Sequence, residues 1–310
     1  QPLLFLIANI GTILIIYYGG LQVSNGLVSM GAVIAFITYL GQLIDPVRRL
    51  GMIIPAVSIA SASAERIFEI LDAVSEVEDA PGAVDVEAVA GHIEFNGVNF
   101  HFGKKKILQD INLSALPGET IALLGTTGSG KSSLINLIPR FYEVTNGAIL
   151  VDGVDIREVT QHDLRDKIGY VPQKSALFSG TIESNLRYAY EDATPEMLQS
   201  AIEIAQAREF VESKPEGMVT EIAQGGTNVS GGQKQRLSIA RAIVKKPPIY
   251  ILDDSFSALD FKTDAALRRA FKEQAADSTL LVVTQRVSTI KNAEQIIVLD
   301  EGKIVGKGTH

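Results

Sequence analysis

Eight consecutive residues, Gly125-Thr126-Thr127-Gly128-Ser129-Gly130-Lys131-Ser132, follow the apolar run Thr120-Ile121-Ala122-Leu123-Leu124 and lead into a helical stretch starting at Ser133. The pattern G-x-x-x-x-G-K-[ST] carries physical meaning in this strand–loop–helix setting. Its glycines let successive backbone N–H groups turn toward a polyphosphate at a helix N-terminus. Lys131 can reach the outer phosphate oxygens, and the Ser132 hydroxyl can ligate Mg²⁺. Gly125, Thr126, Thr127, Gly128, Ser129, Gly130, Lys131, Ser132 and Ser133 are therefore the expected nucleotide-binding residues.

A second run, Pro248-Ile249-Tyr250-Ile251-Leu252, ends in Asp253-Asp254. A buried strand ending in carboxylates is the arrangement needed to hold Mg²⁺ beside the phosphate loop, so Asp253 joins Ser132 as a candidate metal ligand. Between these two elements lies Val229-Ser230-Gly231-Gly232-Gln233, followed by the amphipathic run 237–244. A hydroxyl and two glycines at a helix start leave bare N–H groups and a positive dipole end, suited to another phosphate or simply to an N-cap.

The elements that must carry these groups divide along the chain. No charged side chain occurs before Asp45, and the polar, glycine-rich stretch 19–26 splits this region into two apolar segments. The first, residues 2–18, is near the lower limit for a membrane-spanning helix. The second begins near Leu27, passes Asp45-Pro46 and stays apolar to Ala60 with Arg48 and Arg49 inserted, as expected of a long helix leaving the bilayer. A soluble hairpin would show a charged outer face. The uncharged loop, set against Arg48 and Arg49, puts that loop outside and everything downstream in the cytoplasm. Beginning without Met and with a helix at residue 2, the chain reads as a fragment preceded by further membrane segments.

Residues 62–71 still read as helix, and 72–91 as an acidic, solvated tether. The expected organisation is 1–71 membrane helices with a cytoplasmic extension, 72–91 linker, and 92–310 an α/β nucleotide-binding domain. Composition agrees with this segregation. Mean hydropathy is +0.19 although 21% of residues are charged. Lys and Arg number 28 against 36 Asp and Glu, a net charge of −8, which leaves no global basic field for nucleic acid. The absence of cysteine excludes disulfides, thiolate metal sites and a cysteine nucleophile.

With Ser-Gly-Gly-Gln followed closely by the Asp-ended strand, the sequence resembles the ATP-binding cassette (ABC) transporters. The apolar hairpin, tether and cassette together are similar to the last two membrane helices and C-terminal cassette of an exporter half. The resemblance implies ATP and Mg²⁺ as cofactors, and an α/β P-loop fold with an antiparallel β subdomain and a helical subdomain. Phe102 stands at the adenine-stacking position, where the family usually has Tyr, and Phe keeps the π face. Gln173 in Tyr170-Val171-Pro172-Gln173 matches the glutamine that senses Mg²⁺ and couples to the membrane part. Ser257-Ala258-Leu259-Asp260 matches the D-loop. Gln224-Gly225-Gly226 lies where exporters have Glu-Arg-Gly.

The departures matter most. Where the resemblance leads one to expect a catalytic glutamate and a γ-phosphate histidine, this chain has Asp254 and Gln285. Asp is shorter than Glu by one methylene, and positioning of the attacking water is sensitive to about 1 Å. Gln has no protonatable nitrogen, and none of the four histidines lies nearby in sequence. The expectation is an ATP site that binds with weak turnover, and a signature, residues 229–233, that completes the site of a second half-transporter. A heterodimeric exporter of the bacterial multidrug type follows, multi-pass in the cell membrane, in contact with the lipid bilayer and moving a drug- or lipid-like small molecule. The rivals are a homodimer hydrolysing slowly through Asp254 and, less fittingly, a soluble ABC ATPase. Among membrane residues, Tyr39 and Gln42 are among the few polar exceptions, and the cargo cannot be read from them.

Overall fold

Uninterrupted apolar sequence, a serine cap and the scarcity of charge make the first part of the chain helical. The computed structural model describes all residues except 1, 87–88, 257–258 and 286–289, and the chain divides into two units, residues 1–75 and 76–310. In the first, α1 spans Pro2–Ser24 and α2 spans Met30–Leu71, with the Ser29 side chain accepting from the Ala32 N–H. The polar break expected over 19–26 is shorter than the sequence suggests. Helix α1 continues through Gly19 and Gly20 to Ser24, because glycine there serves packing: a Cβ on Gly19 would come within 3.0 Å of Val33, and one on Gly11 within 3.1 Å of Leu40. Small residues let two helices approach closely where both are apolar. Gly26, at φ +69, makes the turn.

Both helices are long and apolar enough to cross a membrane. At 42 residues, α2 is about 63 Å long, roughly twice a hydrocarbon core. It accommodates Pro46 and Pro55 without interruption. Its large side chains, among them Phe36, Tyr39, Ile54 and Ile59, point outward, which fits lipid or further helices and not water.

The second unit opens with an antiparallel sheet of order β2-β1-β4-β5, built from β1 (Ile93–Phe102), β2 (Lys105–Ala115), β4 (Asn146–Val151) and β5 (Val154–Asp155). Beside it is a sheet of order β12-β11-β3-β10-β9-β6, with β3 (Thr120–Leu124), β6 (Ile168–Val171), β9 (Ile249–Asp253), β10 (Thr279–Val283), β11 (Gln295–Asp300) and β12 (Lys303–Gly308). All neighbours in it are parallel except β12. The fully buried run of β9, a near-continuous apolar stretch, is what a strand covered on both faces requires. Helices α3 (Lys131–Leu137), α4 (Gln161–Asp166), α5 (Ile182–Arg187), α6 (Pro195–Ile204), α7 (Arg208–Glu212), α8 (Gly231–Val244) and α9 (Phe261–Gln274) complete the described residues, with the short pair β7 (Gly180–Thr181) and β8 (Glu221–Ile222). One core cluster joins the two sheets through Phe95, Leu123, Leu134 and Ile251. Another joins α5, α6 and α8 to β9 through Leu186, Leu198, Ile239 and Leu252.

The described residues of the acidic segment 72–91 are mostly exposed, as its composition suggests, but several are hydrogen-bonded to the domain that follows. From Glu76 it lies with the second unit, and Val84 bridges Val159 in parallel. Asp152 accepts from the N–H groups of Ala90, Gly91 and His92, and Asp163 from that of Val86. Backbone donors satisfied this way define an ordered strap.

Candidate functional site

Strand register gathers the candidate residues at one sheet edge. Val283 pairs with Leu123 on one side and Asp253 on the other, and Val171 pairs with Leu252. The four strands end together, so the loop after β3, Gln285 after β10, Asp253 and Asp254 at β9, and Gln173 after β6 emerge at the same C-terminal edge, where parallel sheets bind ligands.

The phosphate loop is fixed from behind. Gly125, at φ +151, has the Leu299 carbonyl and Ser129 so near that a Cβ would lie 2.3 and 2.5 Å from them, and a Cβ on Gly130, at φ +104, would strike Leu108 at 2.8 Å. Gly302, which the sequence did not single out, donates its N–H to the Ser129 carbonyl at 3.1 Å. Gly128, at φ +85, has open space before it. Gly130 precedes α3 with no side-chain cap, so the first-turn N–H groups lack a side-chain acceptor and face the loop.

Charges complete the cradle. Lys131 is 8% exposed, and its Nζ donates to the carbonyls of Gly125 (2.9 Å) and Thr126 (2.7 Å). Burial lowers the lysine's pKa, while Asp253 and Asp254 act to raise it. The pKa of Asp253 is raised, chiefly by burial. The hydrogen bond from Ser132 pulls it down, Asp254 pushes it up and Lys131 pulls it down. The Ser132 hydroxyl lies 3.3 Å from Asp253 Oδ1. A buried carboxylate beside a second carboxylate and a hydroxyl is a donor set a hard divalent cation satisfies, and a buried ammonium folded onto carbonyls is one a phosphate would draw away. The residues fit Mg²⁺ with a nucleotide triphosphate. Ser132 and Asp253 would hold the metal, and Lys131 with the loop N–H groups would hold the phosphates. The cation neutralises phosphate charge there when bound.

Phe102 ends β1 and is 63% exposed, free to stack. Gly130 backs onto Ile107 and Leu108, and Leu108 pairs with Phe100, so the hairpin tip bearing Phe102 adjoins the phosphate loop. Tyr142, absent from the sequence reading, meets Phe102 edge-on at 5.9 Å and Phe100 at 5.6 Å. Gln173 is exposed, two residues past β6. On that strand, the Tyr170 hydroxyl bonds Asn136 of α3 at 2.8 Å, and burial pushes its pKa up to about 12.

Asp254 stands at φ +46, a left-handed conformation unusual outside glycine, and its N–H donates to the Val283 carbonyl. This fixes the backbone from which its short carboxylate projects. Gln285 is exposed. Of the D-loop residues, Ser257 and Ala258 lie outside the described residues. Leu259 is buried, and Asp260 caps α9, accepting from the N–H groups of Lys262 and Thr263.

At the signature, Ser230 caps α8 while Gln233 caps Ser230 in return, at 3.3 and 2.9 Å. Ser230 and Gly231 are exposed, and Val229, Gly232 and Gln233 partly so. Both glycines of Gln224-Gly225-Gly226 have φ +66, which accounts for glycine at the second position, where a long side chain would be strained.

Residues 108–257 match the ABC transporter family. The whole chain is 43% identical over 315 residues to an uncharacterized ABC transporter ATP-binding protein of Mycobacterium tuberculosis, covering 54% of it. It is 41% identical to the ATP-dependent lipid A-core flippase of Desulfotalea psychrophila, covering all of this chain and 54% of that protein. It is 38% identical to a fatty acid ABC transporter ATP-binding/permease protein of M. tuberculosis, covering all of this chain and 49% of that protein. Among solved structures, a bacterial Atm1-family ABC exporter with ATP bound superposes with a TM-score of 0.77 at 33% identity, over 99% of this chain and 53% of the other. The chain thus spans about half the length of the relatives it matches.

Proposed function

The chain carries an ABC transporter domain and is homologous to ABC exporter half-transporters, and on that premise we propose that it is part of one half of an ATP-driven exporter whose own ATP site binds nucleotide with weak turnover. The observation that carries the reading is the contrast at one sheet edge. A fully formed phosphate cradle with Lys131, Ser132 and Asp253 stands beside Asp254 and Gln285, neither of which can do what a Glu and a His would.

In this reading Lys131 and the loop N–H groups bind the phosphates, Ser132, Asp253 and Gln173 serve the metal, and Phe102 stacks on the base. The exposed signature, Val229 to Gln233, completes the site of a second, different half-transporter, whose catalytic residues supply the turnover. Closing the pair would bias the membrane helices between inward-open and outward-open states, since nucleotide prefers the closed form. The lipid A-core and fatty acid names of two relatives support an amphiphilic, lipid-like cargo. Helices α1 and α2 would lie in the cell membrane as part of a multi-pass domain, with the cassette in the cytoplasm.

The test compares the full-length protein alone, the full-length protein with its partner, and the double reversion Asp254→Glu with Gln285→His. The expected result is little Mg²⁺-dependent ATP turnover alone, turnover in the pair that depends on the partner's catalytic carboxylate, and at least a tenfold gain for the reverted chain, within the range of general-base effects. Turnover of roughly 1 s⁻¹ by the unmodified chain alone would sink the weak-site reading and make Asp254 the working carboxylate of a homodimer.

A further inference from the structure

Arg140 lies three residues past the end of α3 and is built as a junction. It is 3% exposed and adopts φ +51, a conformation that costs a non-glycine residue and persists only where its surroundings fix it. Its guanidinium is fully engaged. Nε and Nη2 donate to Glu143, Nη1 to the carbonyls of Ile156 (3.3 Å) and Val159 (3.4 Å), and Nη2 to the Glu78 carbonyl (3.1 Å) in the strap. Five N–H donors meeting acceptors on four residues in three chain segments is a use of arginine that lysine cannot reproduce.

Two continuous sets of contacts meet there. On the strap side, Gln161 donates its backbone N–H to Asp79 at 2.9 Å and its side chain to the Val77 carbonyl at 3.2 Å. Thr160 donates its hydroxyl to Asp85 at 2.6 Å. Val84 exchanges backbone bonds with Glu158 and Thr160. Anchored at residues 77, 78, 79, 84, 85 and 86, the strap has little slack. On the site side, Arg165 donates to the carbonyls of Pro139 and Arg140, both at 2.9 Å, and lies over the Phe141 ring. Phe141 packs edge-on against Tyr170, which bonds Asn136 of α3 and sits on the strand leading to Gln173.

We propose that Arg140 is a positioning residue through which the strap, continuous in sequence with α2, holds the phosphate-loop helix and the Gln173 strand as one body, so that ATP-driven movement of the cassette is delivered to the membrane helix without loss in the linker. The proposal rests on the exporter reading above. A loose tether would absorb such movement as entropy. One with side-chain and backbone anchors on the cassette would absorb less of it.

The experiment uses the full-length transporter with its partner in lipid nanodiscs. The probe is the alkylation rate of a cysteine at Gln42→Cys, nucleotide-free against MgATP with vanadate. The variants are Asp79→Ala with Gln161→Ala, and Arg140→Lys. Equilibrium ATP binding and, for the strap, hydrogen exchange over residues 77–86 are measured alongside. Loosened variants are expected to keep ATP affinity within twofold, exchange faster across the strap, and lose at least fivefold of the ATP-driven change in alkylation. A disulfide between Asp85→Cys and Thr160→Cys, placed in a chain with no native cysteine, is expected to restore the response to the Asp79/Gln161 variant. An alkylation response unchanged in both loosened variants overturns the role of Arg140, and so does a disulfide that restores thermal stability without restoring the response. Absence of any ATP-driven response in the transporter carrying Gln42→Cys alone removes the exporter reading itself, and this inference with it.

Discussion

Two helix starts in the cassette are rich in glycine, and they are built in opposite ways. Helix α3 begins after Gly130, left-handed and with no side chain capping its first turn, in a loop whose Lys131 is buried. Helix α8 begins after Ser230, whose hydroxyl and the Gln233 amide close the first turn reciprocally at the surface. Orphan N–H groups at a helix start need an acceptor. At α3 a phosphate fits that need, whereas at α8 the protein's own capping box serves the N–H groups of Gln233 and Ser230. The first is therefore a site assembled within one chain. On the proposed reading the second is half a site, open to a phosphate presented by another chain.

The largest effect expected from this contrast is at Lys131. Lys131→Ala removes the buried ammonium and should weaken ATP binding by this chain about 100-fold, roughly 3 kcal/mol, the scale of charge-assisted contacts to a phosphate. Equilibrium titration with a fluorescent ATP analogue measures it. Ser230→Ala should act on the other variable. It costs the isolated α8 about 1 kcal/mol of capping and leaves this chain's ATP affinity within twofold, yet lowers turnover by the assembled pair about tenfold. If Ser230→Ala instead weakens this chain's own ATP affinity as strongly as Lys131→Ala does, the two helix starts serve one site and the contrast collapses.

Legibility in the sequence follows the same division. The α3 start was readable because its chemistry is local: strand, glycine loop, lysine and serine are contiguous, and Asp253 announces itself as the polar end of an apolar run. The α8 start was only half readable. Serine and two glycines suit a cap and a phosphate equally; Gln233 completes the S-x-x-Q spacing of a capping box, and the structure shows that return bond made. The anchoring of the strap is hidden for a related reason. Its acids look solvated in sequence, but its backbone bonds run to side chains some 60 residues away, such as Asp152 with Ala90 and His92. Composition reports what a segment could leave in water and is silent about distant carboxylates that bond its N–H groups. Tyr142 and Gly302 escaped notice likewise, since nothing adjacent to them in sequence hints at Phe102 or the Ser129 carbonyl.

The smallest expected effect is the one that separates the two helix starts energetically. The α8 first turn holds no acidic residue, whereas the α3 start faces Asp253, whose pKa is raised mainly by burial, with Asp254 adding to the rise. A carboxyl with a raised folded-state pKa favours the fold while protonated, and that contribution is lost as pH rises through the folded value. At neutral pH the ionised Asp253 is then a cost the nucleotide-free cassette carries for the sake of a cation. Asp253→Asn keeps an acceptor for the Ser132 hydroxyl and removes the charge, so it should raise the Tm of the nucleotide-free protein by about 2–4 °C if the relief is on the order of 1 kcal/mol. The gain should shrink as pH falls through the raised folded-state value, where the native carboxyl takes up its proton, and be gone below the unfolded carboxyl's value of about 3.9. The same substitution should abolish the extra stabilisation that MgATP gives over ATP with EDTA. Thermal melts at pH 4.5, 6 and 7.5, with and without MgATP, read both effects. A variant that melts lower than the native chain at pH 7.5 would mean that Lys131 already compensates the carboxylate and that the phosphate-loop start stores no strain for its ligand to relieve.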